Sequence, residues 1–118
     1  FLIATGATRA GQLNLMKSLS LEFAPKNIRA NAVLIGLVDS GQWGRRYDRG
    51  EYPDGRKIPA GMSKEDYFAD LAKSRHIPLG RLGTPAEAAN AILFFASSAS
   101  SYITGETIDV TGGQARNV

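Results

Sequence analysis

Residues 36–62 hold the side chains best suited to chemistry. Trp43, Tyr47 and Tyr52 supply aromatic surface with polar tips, the kind that lines a small-molecule pocket, while Arg45, Arg46 and Arg49 supply positive charge that would draw an anionic substrate. The same composition also suits exposed charges above aromatics packed beneath a loop, and both readings stand. Gly36 permits close backbone approach, and Ser40 carries a hydroxyl able to bond a phosphate or an amide. His76 is the one histidine, a residue type often used as a general base. Set between Arg75 and Ile77, it reads instead as a cation at a helix C-terminus. With no cysteine there is no thiolate catalysis, disulfide or usual structural zinc site, and a lone histidine gives no metal signature. The serines offer no nucleophile elbow with a companion base, which disfavours hydrolase chemistry.

The elements that must position these groups follow from periodicity. Residues 7–24 predict a helix, with Ala10, Leu13, Met16, Leu19 and Phe23 on one stripe and Leu15 and Leu21 elsewhere around the axis. Two apolar strips imply burial on more than one side. Gly11 implies a close packing contact, and Asn27, beyond Pro25, suits a left-handed residue closing the turn. Residues 28–35 read as a buried strand. The stretch 36–62 shows no period and reads as a functional lid or a disordered loop.

Residues 63–75 predict a second helix, with Ser63 as N-cap and Tyr67, Phe68 and Leu71 on its apolar face. Thr84-Pro-Ala-Glu87 predicts a third: Thr84 caps, Pro85 suits the first helical position and Glu87 completes a capping box. It should run to about Ser97 and bury Ala88, Ala91, Ile92 and Phe95. Residues 106–111 alternate polar with apolar and read as a final strand.

A chain of 118 residues can bury one modest core, so one domain or part of one is expected. No apolar run approaches the roughly 20 residues of a membrane span. The net charge of +3 comes from bases interleaved with acids, a weak footprint for a nucleic-acid binder. Neither membrane nor nucleic acid is expected as a partner, and the absence of cysteine fits a reducing, cytoplasmic setting. The start at Phe1, with no basic n-region or cleavage site, is read as a cut from a longer parent rather than a signal peptide.

Pro78-Leu-Gly-Arg-Leu-Gly-Thr-Pro-Ala-Glu87, followed by Tyr102-Ile-Thr-Gly-Glu-Thr-Ile-Asp-Val-Thr-Gly-Gly113, resembles the C-terminal end of a short-chain dehydrogenase/reductase. The run from Thr8 to Pro25 is similar to that family's catalytic helix, and Ile28-Arg-Ala-Asn-Ala-Val33 to its next strand. The resemblance implies an α/β fold: residues 1–118 as the C-terminal part of one doubly wound, Rossmann-type domain with a parallel sheet, in the order helix, strand, lid, helix, helix, strand. It also implies an oxidoreductase that uses NAD or NADP on a carbonyl or alcohol.

In that family a tyrosine precedes a lysine by four residues on the catalytic helix, so the cation sits beside the phenol, lowers its pKa and holds the nicotinamide ribose. The matching positions here are Thr5 and Arg9, and neither residue type is retained. Arg9 keeps a positive charge for ribose or anionic groups, whereas Thr5 is a far poorer proton donor and suits an N-cap or first-turn role. The family's Pro-Gly after the next strand is Ile35-Gly36 here, with Gly36, Val38 and Ser40 implied at the nicotinamide end.

The same resemblance makes Trp43, Tyr47 and Tyr52 lid residues facing a small-molecule substrate and Tyr102 a packing residue. It implies a homodimer or homotetramer. The glycine-rich turn that cradles pyrophosphate has no counterpart in these residues. A degenerate nucleotide-binding or oligomerisation module is the alternative. Two strands cannot readily cover three helices, so the chain is expected to be unstable without the remainder of its parent.

Overall fold

A computed structural model describes residues 2–114, with side chains from residue 3 onward. The order is α1 (Leu2–Phe23), a 3-10 turn (Ala24–Lys26), β1 (Ala32–Ile35), α2 (Gln42–Asp48), α3 (Lys64–Ser74), α4 (Pro85–Ala96), a second 3-10 turn (Ser98–Ser100) and β2 (Thr107–Val110). Two compact units form: one from residues 2–34 and 89–109, the other from 35–88 and 110–114.

In the first unit α1 starts at Leu2, earlier than the periodicity predicts, because Leu2 and Ala4 are good helix formers and nothing before Gly6 breaks the turn. Thr5 is therefore the fourth helical residue and not an N-cap. At the other end Asn27 adopts φ 57°, with Asn27 N–H donating to Ala24 O (2.9 Å) and Ile28 N–H to Phe23 O (3.3 Å). These are the two bonds of a Schellman motif.

Leu13, Met16 and Phe23 are half-buried, but Ala10 and Leu19 are exposed, as are Leu15 (58 %) and Leu21 (70 %). The second strip is thus uncovered by the described residues. Gly11 has nothing within 4 Å of where a Cβ would lie, so the close contact expected there is not made. Near its C-terminus α1 is anchored instead at Gly105. That glycine has φ 76°, and a Cβ on it would lie 2.6 Å from Ser20 Oγ, while Lys17 Nζ donates to its carbonyl at 3.1 Å.

β1 begins at Ala32 rather than Ile28 because the preceding residues bond to a turn instead of a ladder. Ala30 N–H donates to Thr104 Oγ1 (3.1 Å), Gly105 N–H to Ala30 O (2.7 Å), and Asn31 bonds both Ile103 O and Glu106 N–H (3.0 Å each). Ala32 N–H then donates to Glu106 O and Gly36 N–H to Val110 O, both at 2.9 Å. Residue numbers rise together along the two strands, so the pair is parallel.

Arg29 closes the end of α4, donating to Phe95 O (2.9 Å), Ser97 O (3.2 Å), Ile103 O (3.2 Å) and Ser100 Oγ (2.9 Å). Of the α4 residues expected to be buried, Ala88 is buried, Ala91 and Phe95 are only half-buried and Ile92 is 51 % exposed, while Tyr102 is fully exposed. The reason is the same for both: among the described residues of this unit no apolar side chain is buried, and its buried groups are Ser20, Ser100 and Gly105.

The second unit has an apolar core of Tyr52, Tyr67, Leu71, Ala72, Ile77 and Leu82. Ser63 caps α3 as predicted, accepting from Asp66 N–H at 3.0 Å. The stretch read as irregular contains α2. This helix has only seven residues with Gly44 among them, too short for a period to show, and it forms because Trp43 and Tyr47 pack on the core.

α3 ends in a second Schellman motif, with His76 N–H on Lys73 O and Ile77 N–H on Ala72 O, both 3.0 Å. His76, just past the last turn, sits at φ 53°, a conformation that costs any side chain with a Cβ and β-branched ones most. His76→Val should therefore destabilise by about 1 kcal/mol and His76→Gly should be neutral or stabilising, read as opposite shifts of the urea midpoint of the longer parent protein from which this chain is expected to come.

Candidate functional site

The site residues implied by the sequence divide between the units. Thr5 and Arg9 lie four apart on α1 in the first, both exposed; Gly36, Val38 and Ser40 lie in the second. Each set is described within its own unit.

At the exit of β1, a Cβ on Gly36 would fall 2.9 Å from Thr111 Cα, so only glycine fits that approach. Gly83 then pins the next residues: its N–H donates to Leu37 O and its carbonyl accepts from Asp39 N–H, both at 2.9 Å, a parallel bridge centred on Val38. Ser40 N–H turns back onto Val38 O at 3.1 Å, and Gly41 N–H donates to Asp39 Oδ1 at 3.2 Å. Two donors are left over. The Val38 N–H and the exposed Ser40 hydroxyl have no hydrogen-bond partner among the described residues. A backbone amide and a hydroxyl are each able to donate to an amide or phosphate oxygen.

The Gly83 pin is held by the capping box of α4. Thr84 N–H donates to Glu87 Oε2 (2.7 Å), Glu87 N–H returns to Thr84 Oγ1 (3.2 Å), and Arg81 grips the carboxylate through both terminal nitrogens (2.6 and 3.0 Å). The Arg81 guanidinium first, and the Thr84 amide second, hold the Glu87 carboxyl down at about 2.

In the lid Tyr52 is buried and Trp43 and Tyr47 are half-buried, packed against Tyr67. The Tyr67 ring lies between those of Tyr47 (5.5 Å) and Tyr52 (5.1 Å). Tyr47 Oη donates to Met62 O at 2.7 Å and Tyr52 Oη points at Met62 Sδ at 3.3 Å. Burial first, and the nearby Asp70 carboxylate second, push the Tyr52 phenol up. Arg56 stacks on the Tyr52 ring at 4.7 Å while pairing with Asp54 at 2.7 Å. Arg45, Arg46 and Arg49 make no ion pair among the described residues.

The sequence reading missed the Gly83 pin and took Tyr67 as one apolar residue of a helix face. The spacing of Tyr67 and Leu71 signalled burial, but nothing local signalled a hydroxyl left inside. Among the described residues no helix is long and apolar enough to cross a membrane.

A parallel strand pair with intervening helices, and ligand-ready donors just past a strand's carboxyl end, define an α/β protein of the doubly wound class. The family model described as Enoyl-(Acyl carrier protein) reductase matches residues 3–115. The chain belongs to the short-chain dehydrogenase/reductase family, with its Rossmann-type fold.

It is 38 % identical over 106 residues to a 3-oxoacyl-[acyl-carrier-protein] reductase of Aquifex aeolicus, covering 90 % of this chain and 35 % of that protein. A 7alpha-hydroxysteroid dehydrogenase of Paraclostridium sordellii is 36 % identical over 112 residues, covering 94 % of this chain and 35 % of its own. Among solved structures, the NADPH-bound short-chain oxidoreductase of Pseudomonas aeruginosa PAO1 containing an atypical catalytic center is 50 % identical, with a TM-score of 0.81, covering 98 % of this chain and 40 % of that one. The chain thus spans about 35 % of the length of the curated relatives it matches.

The capping box gives the site a pH dependence. Because the Glu87 carboxyl is depressed from its ordinary 4.5 to about 2, its contribution to stability is present above pH 4.5 and is lost as pH falls toward 2. Glu87→Gln should flatten that limb while retaining a capping box, measured as unfolding midpoint against pH for the two forms of the longer parent protein from which this chain is expected to come.

Proposed function

We propose that this chain is the C-terminal portion of a single Rossmann domain whose intact parent is an NAD(P)-dependent oxidoreductase of a carbonyl or alcohol. The observation that carries the reading is the pair of donors at Val38 and Ser40, without a partner among the described residues, next to the Gly83 pin and past a strand end that admits only glycine. It is supported by the NADPH-bound relative at 50 % identity, which itself contains an atypical catalytic center. The cofactor would supply the hydride. Val38 N–H and the Ser40 hydroxyl would orient its carboxamide end, and Gly36 would let it approach the backbone. The proton relay is altered: an aliphatic hydroxyl at Thr5 does not replace a phenol as acid at neutral pH.

A degenerate nucleotide-binding or oligomerisation module is the second reading, favoured by the residues at Thr5 and Arg9. Cofactor binding by nicotinamide fluorescence and turnover of a carbonyl panel by the intact parent separate the two. The oxidoreductase reading expects both, with Thr5→Tyr/Arg9→Lys altering the rate. Tight binding with no turnover, unchanged by the double substitution, would favour the module.

The remainder of the parent domain is the first partner proposed, and a homodimer or homotetramer the second. The first unit buries no apolar side chain among its described residues, and Leu21, Ile92 and Leu93 are each more than half exposed. The 118-residue chain alone should therefore show no cooperative thermal transition by circular dichroism; a sharp one would count against this dependence.

A further inference from the structure

Arg45 and Arg46 of α2, and Arg49 at its end, carry charge that the fold does not use. Within residues 36–62, Arg56 pairs with Asp54 at 2.7 Å and Lys57 with Glu51 at 2.8 Å. What is left is these three arginines against two carboxylates, Asp39 and Asp48. Asp39 already accepts from Gly41 N–H, and neither carboxylate forms an ion pair among the described residues.

Of the three arginines, Arg45 is the one tied to the loop after β1. Helical side chains lean back toward the start of their helix, and Arg45 Nη1 lies 3.1 Å from where a Cβ on Gly41 would be. Gly41 directly follows Ser40 and has φ 86°; glycine both takes that conformation and leaves the guanidinium room. Arg45 is exposed, and its guanidinium has no hydrogen bond or ion pair among the described residues. An accessible planar fork with its donors unused is complementary to a carboxylate. In the oxidoreductase reading Val38 and Ser40 take the uncharged carboxamide end of the cofactor, so the anion falls to the other reactant, which must lie against that same end for hydride to pass.

We propose that Arg45 is a specificity-determining residue that pairs with a carboxylate carried by the carbonyl substrate. The proposal rests on the carbonyl-oxidoreductase reading above. It is tested on the intact parent saturated with oxidised cofactor, which has no hydride to give, so a ketone probe binds without reacting. Calorimetry compares 4-acetylbenzoate with 4-acetylbenzamide, its uncharged counterpart of nearly the same shape, in the wild type, Arg45→Gln and Arg45→Lys.

The wild type should bind the carboxylate about three- to tenfold more tightly than the amide, a range set by an ion pair open to solvent. Arg45→Gln should lose that preference and Arg45→Lys should keep part of it, with affinity for the amide, cofactor affinity and melting temperature unchanged. A preference that is absent in the wild type, or that survives in Arg45→Gln, overturns the proposal. So does a several-fold loss of cofactor affinity in Arg45→Gln, which would put the paired anion on the cofactor. A wild type that fails to bind NADPH at all counts against the oxidoreductase reading itself and removes the basis of this one; cofactor binding without the carboxylate preference counts against Arg45 alone.

Discussion

The Arg29 guanidinium is the constraint on which the first unit depends. The carbonyls that end a helix have no intrahelical partner and carry the negative end of its dipole, and here they lie beside a turn with further carbonyls of its own. Arg29 answers Phe95, Ser97 and Ile103 together and also bonds Ser100 Oγ. A lysine ammonium is a point donor without the fixed planar fork needed to span that set. Two residues on, Asn31 uses both ends of its amide on Ile103 and Glu106, and the register of the parallel pair is set before the first ladder bond at Ala32.

The second unit solves its problem differently, with an aromatic core and a backbone pin. A loop leaving a strand would ordinarily wander, but Gly83 bonds on both sides of Val38 and fixes it. Gly83 is small for a reason: a Cβ there would lie 3.3 Å from Val38 Cγ2. The capping box beside it fixes the start of α4, so a helix-terminus interaction and the bridge that fixes Val38 lie within a few residues of one another.

What was legible in the sequence is what is decided locally. The Thr84–Glu87 box, the Ser63 cap and the left-handed Asn27 each depend on residues within a turn of one another, and each is where the spacing put it. The late start of β1 depends on partners more than 70 positions away, such as Thr104 for Ala30, and propensity cannot see those. Ile92 and Tyr102 show the converse. Their apolar character was read correctly, but burial requires a covering surface, and the described residues of the first unit provide none. Of the candidate site, Gly36, Val38 and Ser40 were named from residue type and resemblance, while the bridge that fixes Val38 to Gly83, more than 40 positions away, was not legible.

Among the described residues of the second unit the Val38 amide, the Ser40 hydroxyl and the buried Tyr67 hydroxyl are donors without a partner, while the buried Gln114 Oε1 is an acceptor without one. At the loop after β1 the groups left over donate, and donors are complementary to an acceptor such as a carboxamide oxygen. The helix that carries Thr5 and Arg9 differs, since no apolar side chain is buried among the described residues of its unit. Preorganisation requires a rigid support. Among the described residues an apolar core of that kind lies under the loop of Gly36, Val38 and Ser40, through Leu37, and none lies under Thr5 and Arg9.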